Sequence, residues 1–401
     1  MTTTINNEHK KLNVPNLRFP EFQGEWEEHL LGNISDVTKL AGFEFTKYVT
    51  YEDNGNIIAI RGLNCKNGSL DLRDVKYIDN SDFSKLSRSK LYTGDILYTY
   101  VGTVGEVAVV DKNDKYYLAP NVSRIRLSKD YNSDFIKQLL GSKKFYNQIV
   151  FPLIATSSQP ALSMENLRKF KLKVPSIREQ TKIASLLNAI DERIATQNKI
   201  IEDLKKLKSA IIEKLYSEIQ GKEYSYRQLF EIINERNNRL EFSNVLSASQ
   251  ERGMVSREDL NLDIKFERSN INTYKIVRSG DYVIHLRSFQ GGFAFSDIVG
   301  VCSPAYTIMR PKDLLEYGYL SYYFTSRQFI KSLVIVTYGI RDGRSINVDE
   351  WFDMKIVIPT KEQQRHIVRT IKVFENKIEN EEMYASCLLK QKQHLLRQMF
   401  I

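Results

Sequence analysis

Histidine and cysteine, the residues that most often carry enzymatic chemistry or bind metals, are few and scattered in this chain. The five histidines and three cysteines include no His-x-x-x-His or Cys-x-x-Cys pair, so spacing brings no two metal ligands together. The sequence also lacks a Gly-x4-Gly-Lys-Ser/Thr loop for nucleotide phosphates and a Gly-x-Ser-x-Gly turn for a nucleophilic serine. We therefore expect a chain that is not an enzyme by itself and that binds no metal or cofactor.

One tetrapeptide, Ser303-Pro-Ala-Tyr306, is similar to the Asn/Asp-Pro-Pro-Tyr motif with which amino-methyltransferases hold a flipped base. Serine replaces the Asn or Asp, alanine replaces the second proline, and no glycine-rich cofactor loop precedes the segment. Its counterpart in the internal repeat described below is Ala119-Pro-Asn-Val122. We interpret both segments as turns at a strand edge, and methyltransferase activity of the isolated chain is an alternative hypothesis.

The composition favours a cytoplasmic protein with a polyanionic partner. A chain of 401 residues is long enough for two or three domains, and its net charge is +9. Lysine and arginine placed on phosphates release condensed counterions, so this charge suits binding to nucleic acid. The apolar runs are too short to span a membrane, residues 1–11 lack the apolar stretch of a signal peptide, and the cysteines are far apart. We therefore expect the cytoplasm as its location.

An internal duplication is the strongest pattern in the sequence. The segment 171–180 recurs as 355–364, with Pro175 matched to Pro359, and the next forty residues continue in the same register without a gap. The apolar positions alternate by four and three, as in the a and d positions of a coiled coil. Two polar interruptions also coincide, Gln197 with Glu381 and Lys208 with Lys392. The predicted core positions are Ile183, Leu187, Ile190, Ile194, Ile201, Leu204, Ile211 and Leu215, matched by Ile367, Ile371, Phe374, Ile378, Ala385, Leu388, Leu395 and Met399.

Each copy of this pattern predicts one long helix. Ser176 and Thr360 are predicted N-caps, and Glu179 and Gln363 stand three residues later, as in a capping box. A helix over 176–217 would be roughly 60 Å long at 1.5 Å per residue. Because its apolar seam is narrow, such a helix needs a partner. We expect the two helices of one chain to pair with each other, with a zipper between two chains as the alternative.

The repeat extends into the globular part of the chain. Gly94-Asp-Ile-Leu97 resembles Gly280-Asp-Tyr-Val283, and short β-rich segments with turns alternate with helical stretches in both copies. The predicted fold is α+β, with two similar domains that are each followed by a long helix. The predicted boundaries are a lead-in over 1–20, a first domain over 21–175, a helix over 176–219, a second domain over 220–359 and a C-terminal helix over 360–401.

The chain resembles the specificity subunit of a type I restriction-modification system. The resemblance lies in the opening Pro15-Asn-Leu-Arg-Phe-Pro-Glu-Phe22, the Gly-Asp-Ile-Leu frame at 94–97, Gly-Thr-Val-Gly at 102–105 and the Pro…Glu-Gln…Ile entry to each helix. Each motif is short, and the duplication with two coiled-coil helices makes the match specific. In the second copy, Gly-Thr-Val-Gly becomes Ser-Phe-Gln-Gly-Gly at 288–292.

The resemblance implies a non-catalytic subunit with two target recognition domains, each reading one half of a bipartite, asymmetric double-stranded DNA site. It implies that the helices pair antiparallel and fix the gap between the half-sites. Two methyltransferase subunits would methylate adenine with S-adenosylmethionine, and two restriction subunits would translocate and cleave DNA with ATP and Mg. An assembly scaffold without DNA sequence specificity is the alternative from another class.

Polar loop residues at corresponding places in the two domains are candidate base readers, because Arg and Gln can make bidentate contacts with guanine and adenine edges. They are Tyr98, Tyr100, Thr103, Ser157, Ser158 and Gln159 in the first domain and Arg287, Ser288, Gln290, Arg341, Asp342 and Arg344 in the second. Phosphate contacts position a protein on DNA without reading its sequence. The candidate phosphate contacts are Arg61, Lys66, Arg124, Ser249 and Arg252.

Overall fold

A computed structural model of the chain describes residues 13–66, 68–155, 159–249, 252–260, 268–285, 292–338 and 345–401. The chain divides into two compact units. Unit 1 comprises residues 1–197 together with 384–401, and unit 2 comprises residues 198–383. Each unit contains one α+β globular domain and a part of each of two long helices.

The domain of unit 1 is built from short strands. They are β1 (Glu27–Leu30), β2 (Ser35–Lys39), β3 (Ile58–Ile60), β4 (Cys65–Lys66), β5 (Ser69–Leu70), β6 (Lys76–Tyr77), β7 (Ile96–Thr99), β8 (Val107–Val109), β9 (Tyr116–Leu118), β10 (Val122–Leu127) and β11 (Lys171–Val174). The main sheet is antiparallel with the order β2-β10-β7-β8. A second sheet has the order β6-β3-β9, with β3 parallel to β9, and β1 pairs with β11.

The helices of this domain close the core on one face of the main sheet, except for the helix Gly42–Tyr48, which packs with the apolar cluster on the other face. They are α1 (Leu31–Ile34), α2 (Gly42–Tyr48), α3 (Ser133–Leu140), α4 (Lys143–Phe145) and α5 (Met164–Arg168), and the long helix α6 (Ile177–Ser217) follows β11. Helix α3 is capped by Asn132, whose side chain accepts a hydrogen bond from the Phe135 N–H. Trp26 and Phe135 both contact the Phe400 ring, so the last residues of the chain belong to the core of unit 1.

The domain of unit 2 repeats this plan. Its strands are β12 (Lys222–Ser225), β13 (Phe230–Ile233), β14 (Leu246–Ser249), β15 (Gly253–Ser256), β16 (Lys275–Val277), β17 (Tyr282–Ile284), β18 (Phe293–Phe295), β19 (Gly300–Cys302), β20 (Thr307–Pro311), β21 (Thr337–Tyr338), β22 (Ser345–Ile346) and β23 (Lys355–Ile358). The main sheet has the order β13-β20-β17-β18, and β12 pairs with β23. These pairings correspond one by one to β2-β10-β7-β8 and β1-β11 of unit 1.

The helices of unit 2 enclose an aromatic core. They are α7 (Tyr226–Leu229), α8 (Tyr319–Tyr323), α9 (Arg327–Ser332), α10 (Val348–Asp353) and the long helix α11 (Lys361–Met399). Trp351 stacks on Tyr226 with ring centroids 4.1 Å apart, and Phe293 and Phe324 pack around the indole ring. Such aromatic pairs contribute about 0.5–1.5 kcal/mol each beyond the area that they bury.

The helices α6 and α11 pair antiparallel, as predicted. Within unit 2, Lys205 forms an ion pair with Glu382 and Lys208 with Glu375, so residue numbers rise along α6 while they fall along α11. The predicted N-cap Thr360 forms its capping box with Gln363. Glu179, its counterpart in α6, accepts two hydrogen bonds from the Arg18 guanidinium, which ties residues of the predicted lead-in to the helix.

The predicted seam is largely buried, but six of its residues are only half-buried: Ile194, Leu204, Ile211, Leu215, Phe374 and Leu395. Ile212 and Tyr216 are each 5% exposed, whereas the predicted core residues Ile211 and Leu215 are only half-buried. The reason is that this part of α6 packs into the core of the unit 2 domain, so its buried face is wider than a helix–helix seam. The other predicted seam residues that are buried are Ile183, Leu187, Ile190, Ile201, Ile367, Ile371, Ile378, Ala385, Leu388 and Met399.

Candidate nucleic-acid interface

A glycine–aspartate turn supports the central strand β7 of unit 1. Gly94 has a φ of +88°, a left-handed conformation that favours glycine. The Asp95 carboxylate is buried, accepts a hydrogen bond from the Tyr92 N–H at 2.8 Å, and receives two from Arg126 on β10, both at 2.7 Å. The turn is thereby fixed to the neighbouring strand, and β7 leads from it to the surface loop that contains Gly-Thr-Val-Gly.

The same brace is built in unit 2. Gly280 has a φ of +95°, and the buried Asp281 carboxylate accepts from the Arg278 N–H at 2.9 Å. Arg310 on β20 donates to it at 2.8 and 3.0 Å. The repeated Gly-Asp motif of the sequence is therefore a structural brace of the frame, and it holds the strand that precedes the 286–291 segment.

The turn between β7 and β8 forms one wall of a cavity of about 320 Å³ in unit 1. Two predicted contact residues, Arg61 and Thr103, line this cavity together with Tyr51, Thr99 and Asn121. The Arg61 side chain is 21% exposed and donates to the Asp74 main-chain oxygen at 2.8 Å and to the Asp74 carboxylate at 2.9 Å. A concave site with a guanidinium, hydroxyl and amide groups has the chemistry that reads base edges.

Sequence reasoning missed the contribution of Tyr51 and Asn121 to this cavity. Tyr51 is 38% exposed, and burial raises its pKa, so its hydroxyl is protonated at neutral pH. Asn121 has a φ of +71°, a conformation that Asn tolerates better than most residues. The signal for Asn121 was present in the sequence, because Ala119–Val122 aligns with Ser303–Tyr306 in the repeat.

The structure corrects two predicted contacts. Tyr98 is fully buried and packs edge-on against Phe170, and burial raises its pKa. Arg124 is 4% exposed and donates to the Asp36 carboxylate and to the Arg88 main-chain oxygen, and burial lowers its pKa. The predictions that Tyr98 reads a base and that Arg124 contacts a phosphate are therefore wrong. Tyr98 was predicted as a loop residue and Arg124 as a phosphate contact, but they lie on β7 and β10, and separate apolar clusters cover both faces of the sheet.

Three further predicted residues of unit 1 lie near its surface. Tyr100 is half-buried, with the Lys39 ammonium 5.3 Å from its ring centre. Gln159 is exposed, and its segment lies against the β7–β8 turn, because the Gly102 N–H donates to the Pro160 main-chain oxygen at 2.9 Å. Lys66 is exposed on the β4–β5 hairpin, which contacts β8. Ser157 and Ser158 lie outside the described residues.

In unit 2, Ser249 and Arg252 lie on the β14–β15 hairpin. This hairpin contacts β18, as the β4–β5 hairpin of Lys66 contacts β8, so these predicted residues occupy corresponding places. The Ser249 hydroxyl accepts from the Arg252 N–H at 3.3 Å. Arg252 lines a groove of about 590 Å³ together with Lys208 and Glu375 of the long helices, at the Phe295 end of β18. The remaining predicted residues of the second domain, Arg287, Ser288, Gln290, Arg341, Asp342 and Arg344, lie outside the described residues.

The described residues also bear on other classes of function. No cluster of three or more His, Cys, Asp or Glu side chains in the described ranges is arranged to hold a metal ion. Within the same ranges, no helix has the length and apolar character needed to cross a membrane. Burial raises the pKa of both Cys65 and Cys302 to about 12, so their thiols are protonated at neutral pH and poorly nucleophilic.

The likeness to known proteins agrees with this architecture. Residues 23–206 match the model of the type I restriction modification DNA specificity domain. A putative type I restriction enzyme MjaX specificity subunit of Methanocaldococcus jannaschii is 21% identical, over 92% of this chain and 92% of its own length. The EcoKI specificity subunit of Escherichia coli is 27% identical over a shorter stretch, 29% of this chain and 26% of that protein.

Two solved structures share the fold along nearly the whole chain. One is the type I restriction-modification system S subunit from M. genitalium, with a TM-score of 0.55, 14% identity and coverage of 97% of this chain and 99% of that one. The other comes from work on the assembly and conformational transition of the type I R-M system, with a TM-score of 0.59, 15% identity and coverage of 94% and 97%. Residues 23–206 are therefore similar to a type I restriction modification DNA specificity domain, and the chain as a whole shares its fold with these two structures.

Proposed function

We propose that this chain directs a type I restriction-modification complex to a bipartite, asymmetric sequence in double-stranded DNA. The observation that carries the proposal is that both domains have the same framework, while the sequences of their loops differ. In each framework a buried aspartate pairs with an arginine of the neighbouring strand, Asp95 with Arg126 and Asp281 with Arg310. Two frames of the same construction present two reading surfaces. Because the loops differ, the two halves of the recognised site differ.

The cavity in unit 1 supports a role in reading one half-site. Thr103 and Asn121 present a hydroxyl and an amide side chain there, and Arg61 presents a guanidinium. A good bidentate contact contributes about 1–3 kcal/mol of discrimination against a wrong base. The net charge of +9 supports the binding of a polyanion, and the exposed Lys66 is proposed to contact a phosphate.

The chemistry is proposed to lie on partner subunits. Two methyltransferase subunits would bind S-adenosylmethionine and methylate adenine, and two restriction subunits would use ATP and Mg to translocate and cleave DNA. This chain would supply sequence recognition to the complex without catalysing a step or binding a cofactor, and it would act in the cytoplasm. The duplication supports a pair of each partner, since a repeated chain offers each partner two similar surfaces.

The proposal is tested by mapping methylated adenines in host DNA after expression of the methyltransferase subunit with and without this chain. The expected result is a two-part motif with a fixed unspecified gap that disappears when this chain is omitted. Methylation that persists unchanged without the chain would contradict the proposal. Partner complexes that form stably without salt-sensitive binding to DNA would favour the assembly scaffold instead.

A further inference from the structure

A three-residue polar cluster joins the two long helices to the domain of unit 1. The Asp191 carboxylate on α6 receives the Lys392 ammonium of α11, with Nζ 2.6 Å from Oδ1. Gln138 on α3 donates from Nε2 to the other oxygen of Asp191 at 2.7 Å, and Gln138 is 4% exposed. We name Gln138, Asp191 and Lys392 node 1. It connects α3, α6 and α11 at a single carboxylate.

A cluster of the same construction exists in unit 2. The Glu375 carboxylate on α11 receives the Lys208 ammonium of α6 at 3.2 Å. Tyr322 on α8 donates its hydroxyl to the other oxygen of Glu375 at 2.8 Å. Burial raises the pKa of Tyr322, so the phenol keeps the proton that it donates. We name Tyr322, Glu375 and Lys208 node 2.

The two nodes are copies of one another. Each member of node 1 has its counterpart in node 2 under the same alignment that matches Pro175 to Pro359: Gln138 with Tyr322, Asp191 with Glu375 and Lys208 with Lys392. In each node, the acidic residue lies on the long helix that directly follows the globular domain of that unit. The lysine lies on the other long helix. The two lysines are one of the two coincident pairs of interruptions in the apolar seam, and the nodes explain this pair.

The spacing of the nodes selects one pairing of the helices. Asp191 and Lys208 are separated along α6 by the same number of positions that separates Glu375 and Lys392 along α11. In an antiparallel pair, one alignment therefore satisfies both nodes at once. Ile and Leu residues at heptad spacing do not select one register by themselves. A shift of one helix by seven residues again brings apolar positions opposite apolar positions.

A slide of one heptad would break both nodes. In one direction it would place Lys392 opposite Ala184, which is 2% exposed, and Lys208 opposite Val368. In the other direction it would place Asp191 opposite Met399, which is also 2% exposed. A charge buried against an apolar residue without a partner is costly, and a polar residue at a seam position is known to specify register in coiled coils.

We propose that the two nodes lock the register of α6 against α11 and thereby fix the number of unspecified base pairs between the half-sites. This inference rests on the proposed function, since a gap exists only if the chain reads a bipartite site. The lysine and acid side chains of the nodes are 20–37% exposed. Ion pairs with this exposure contribute little to stability. The nodes therefore act on the choice of register more than on the folding of the helices.

The test compares two variants that are changed at the same four positions. The nodes cannot form in the first variant and can form in the second. In the leucine variant, Asp191, Lys208, Glu375 and Lys392 are all replaced by leucine, which makes the apolar seam continuous through both lysine positions and leaves only the Gln197 and Glu381 interruptions of that repeat pair. In the exchange variant, Asp191→Lys, Lys392→Asp, Lys208→Glu and Glu375→Lys reverse each pair. The Gln138 amide and the Tyr322 hydroxyl can both accept as well as donate, so the exchanged nodes remain satisfied.

Register is measured without DNA by cross-linking. Lys205→Cys and Glu382→Cys, which replace an ion pair of 2.7 Å, are introduced with Cys387→Ser to remove the exposed native thiol. The full-length chain is then treated with a short bifunctional maleimide. We expect the cross-linked fraction to fall at least threefold in the leucine variant at unchanged helix content and to stay at the parent level in the exchange variant. An unchanged fraction in the leucine variant would overturn the register lock.

The consequence for DNA is measured in the assembled methyltransferase by mapping methylated adenines. The leucine variant is expected to yield motifs with more than one gap length, with both half-sites preserved, while the exchange variant keeps the parental gap. A single parental gap in the leucine variant would overturn the link from node to gap. The two proposals fail separately: a parent chain that yields no two-part motif refutes the proposed function, whereas the cross-link still decides the register lock.

Discussion

The domains of unit 1 and unit 2 are most alike at their buried polar contacts and least alike at their outer layers. Gln180 accepts the Asn132 N–H at 2.9 Å and donates to the Pro175 main-chain oxygen at 2.9 Å. Gln364 repeats both contacts with Glu316 at 2.8 Å and with the Pro359 main-chain oxygen at 3.0 Å.

The outer layers differ in the extent of their strand pairing. In unit 1, β3 pairs in parallel with β9 over three residues and antiparallel with β6, whereas in the described residues of unit 2 the parallel pairing is a single bridge from Val245 to Val301, beside the two-stranded pairs β14-β15 and β16-β19. A duplicated chain can vary its reading surfaces when buried hydrogen bonds and ion pairs hold the frame independently of those surfaces. Residues that hold the frame can therefore be distinguished from the loop residues that are proposed to read DNA.

The largest effect is expected from breaking the frame. Asp95→Ala removes the partner of Arg126 and leaves the Tyr92 N–H without its acceptor. We expect a loss of about 2–3 kcal/mol of local stability, below the usual range for a buried pair because Arg126 is 38% exposed. Hydrogen exchange of the β7 amides measures this loss, and Asp281→Ala should have the same effect on β17. Protection equal to that of an Asp53→Ala control, which removes an exposed pair with Lys76, would contradict the prediction.

A change in helix length should alter the gap and neither half-site. Deleting one matched heptad from α6 and from α11 removes about 10 Å of helix at 1.5 Å per residue, which corresponds to about three base pairs at 3.4 Å each. The map of methylated adenines should then show the same two half-sites with a gap shorter by about this amount. If the gap is unchanged, the helices do not set it.

The smallest effect is expected at the exposed hairpin of unit 1. Lys66→Ala removes one proposed phosphate contact, so affinity should fall similarly for all sequences. The slope of the logarithm of the binding constant against the logarithm of the salt concentration should decrease in magnitude by about 1. Binding of the assembled complex to labelled duplexes at several salt concentrations measures the slope. Lys199→Ala, an exposed lysine on α6, is the matched control, and an equal change in that variant would contradict the assignment.

The sequence alone predicted the parts of this molecule that depend on local periodicity. The two long helices, their pairing and most of their buried residues follow from the heptad pattern, and the Gly94-Asp95 motif marked the brace. The predictions that Tyr98 and Arg124 contact DNA were wrong, because the local sequence does not show that apolar layers cover both faces of the sheet. The contact of Gln138 with Asp191 joins residues 53 positions apart, and no local pattern could have predicted it.

The central claim is that each domain reads its own half of the site, and the cavity in unit 1 tests it most directly. Thr103→Val combined with Asn121→Ala changes two groups that line this cavity, and Thr93→Val, an exposed threonine before β7, is the control. Methylated adenines are mapped for each variant assembled with its partner methyltransferase. The expected result is relaxed choice of bases in one half-site, with the other half-site and the gap unchanged. A motif that is unchanged in both halves, or altered equally in both, would contradict it.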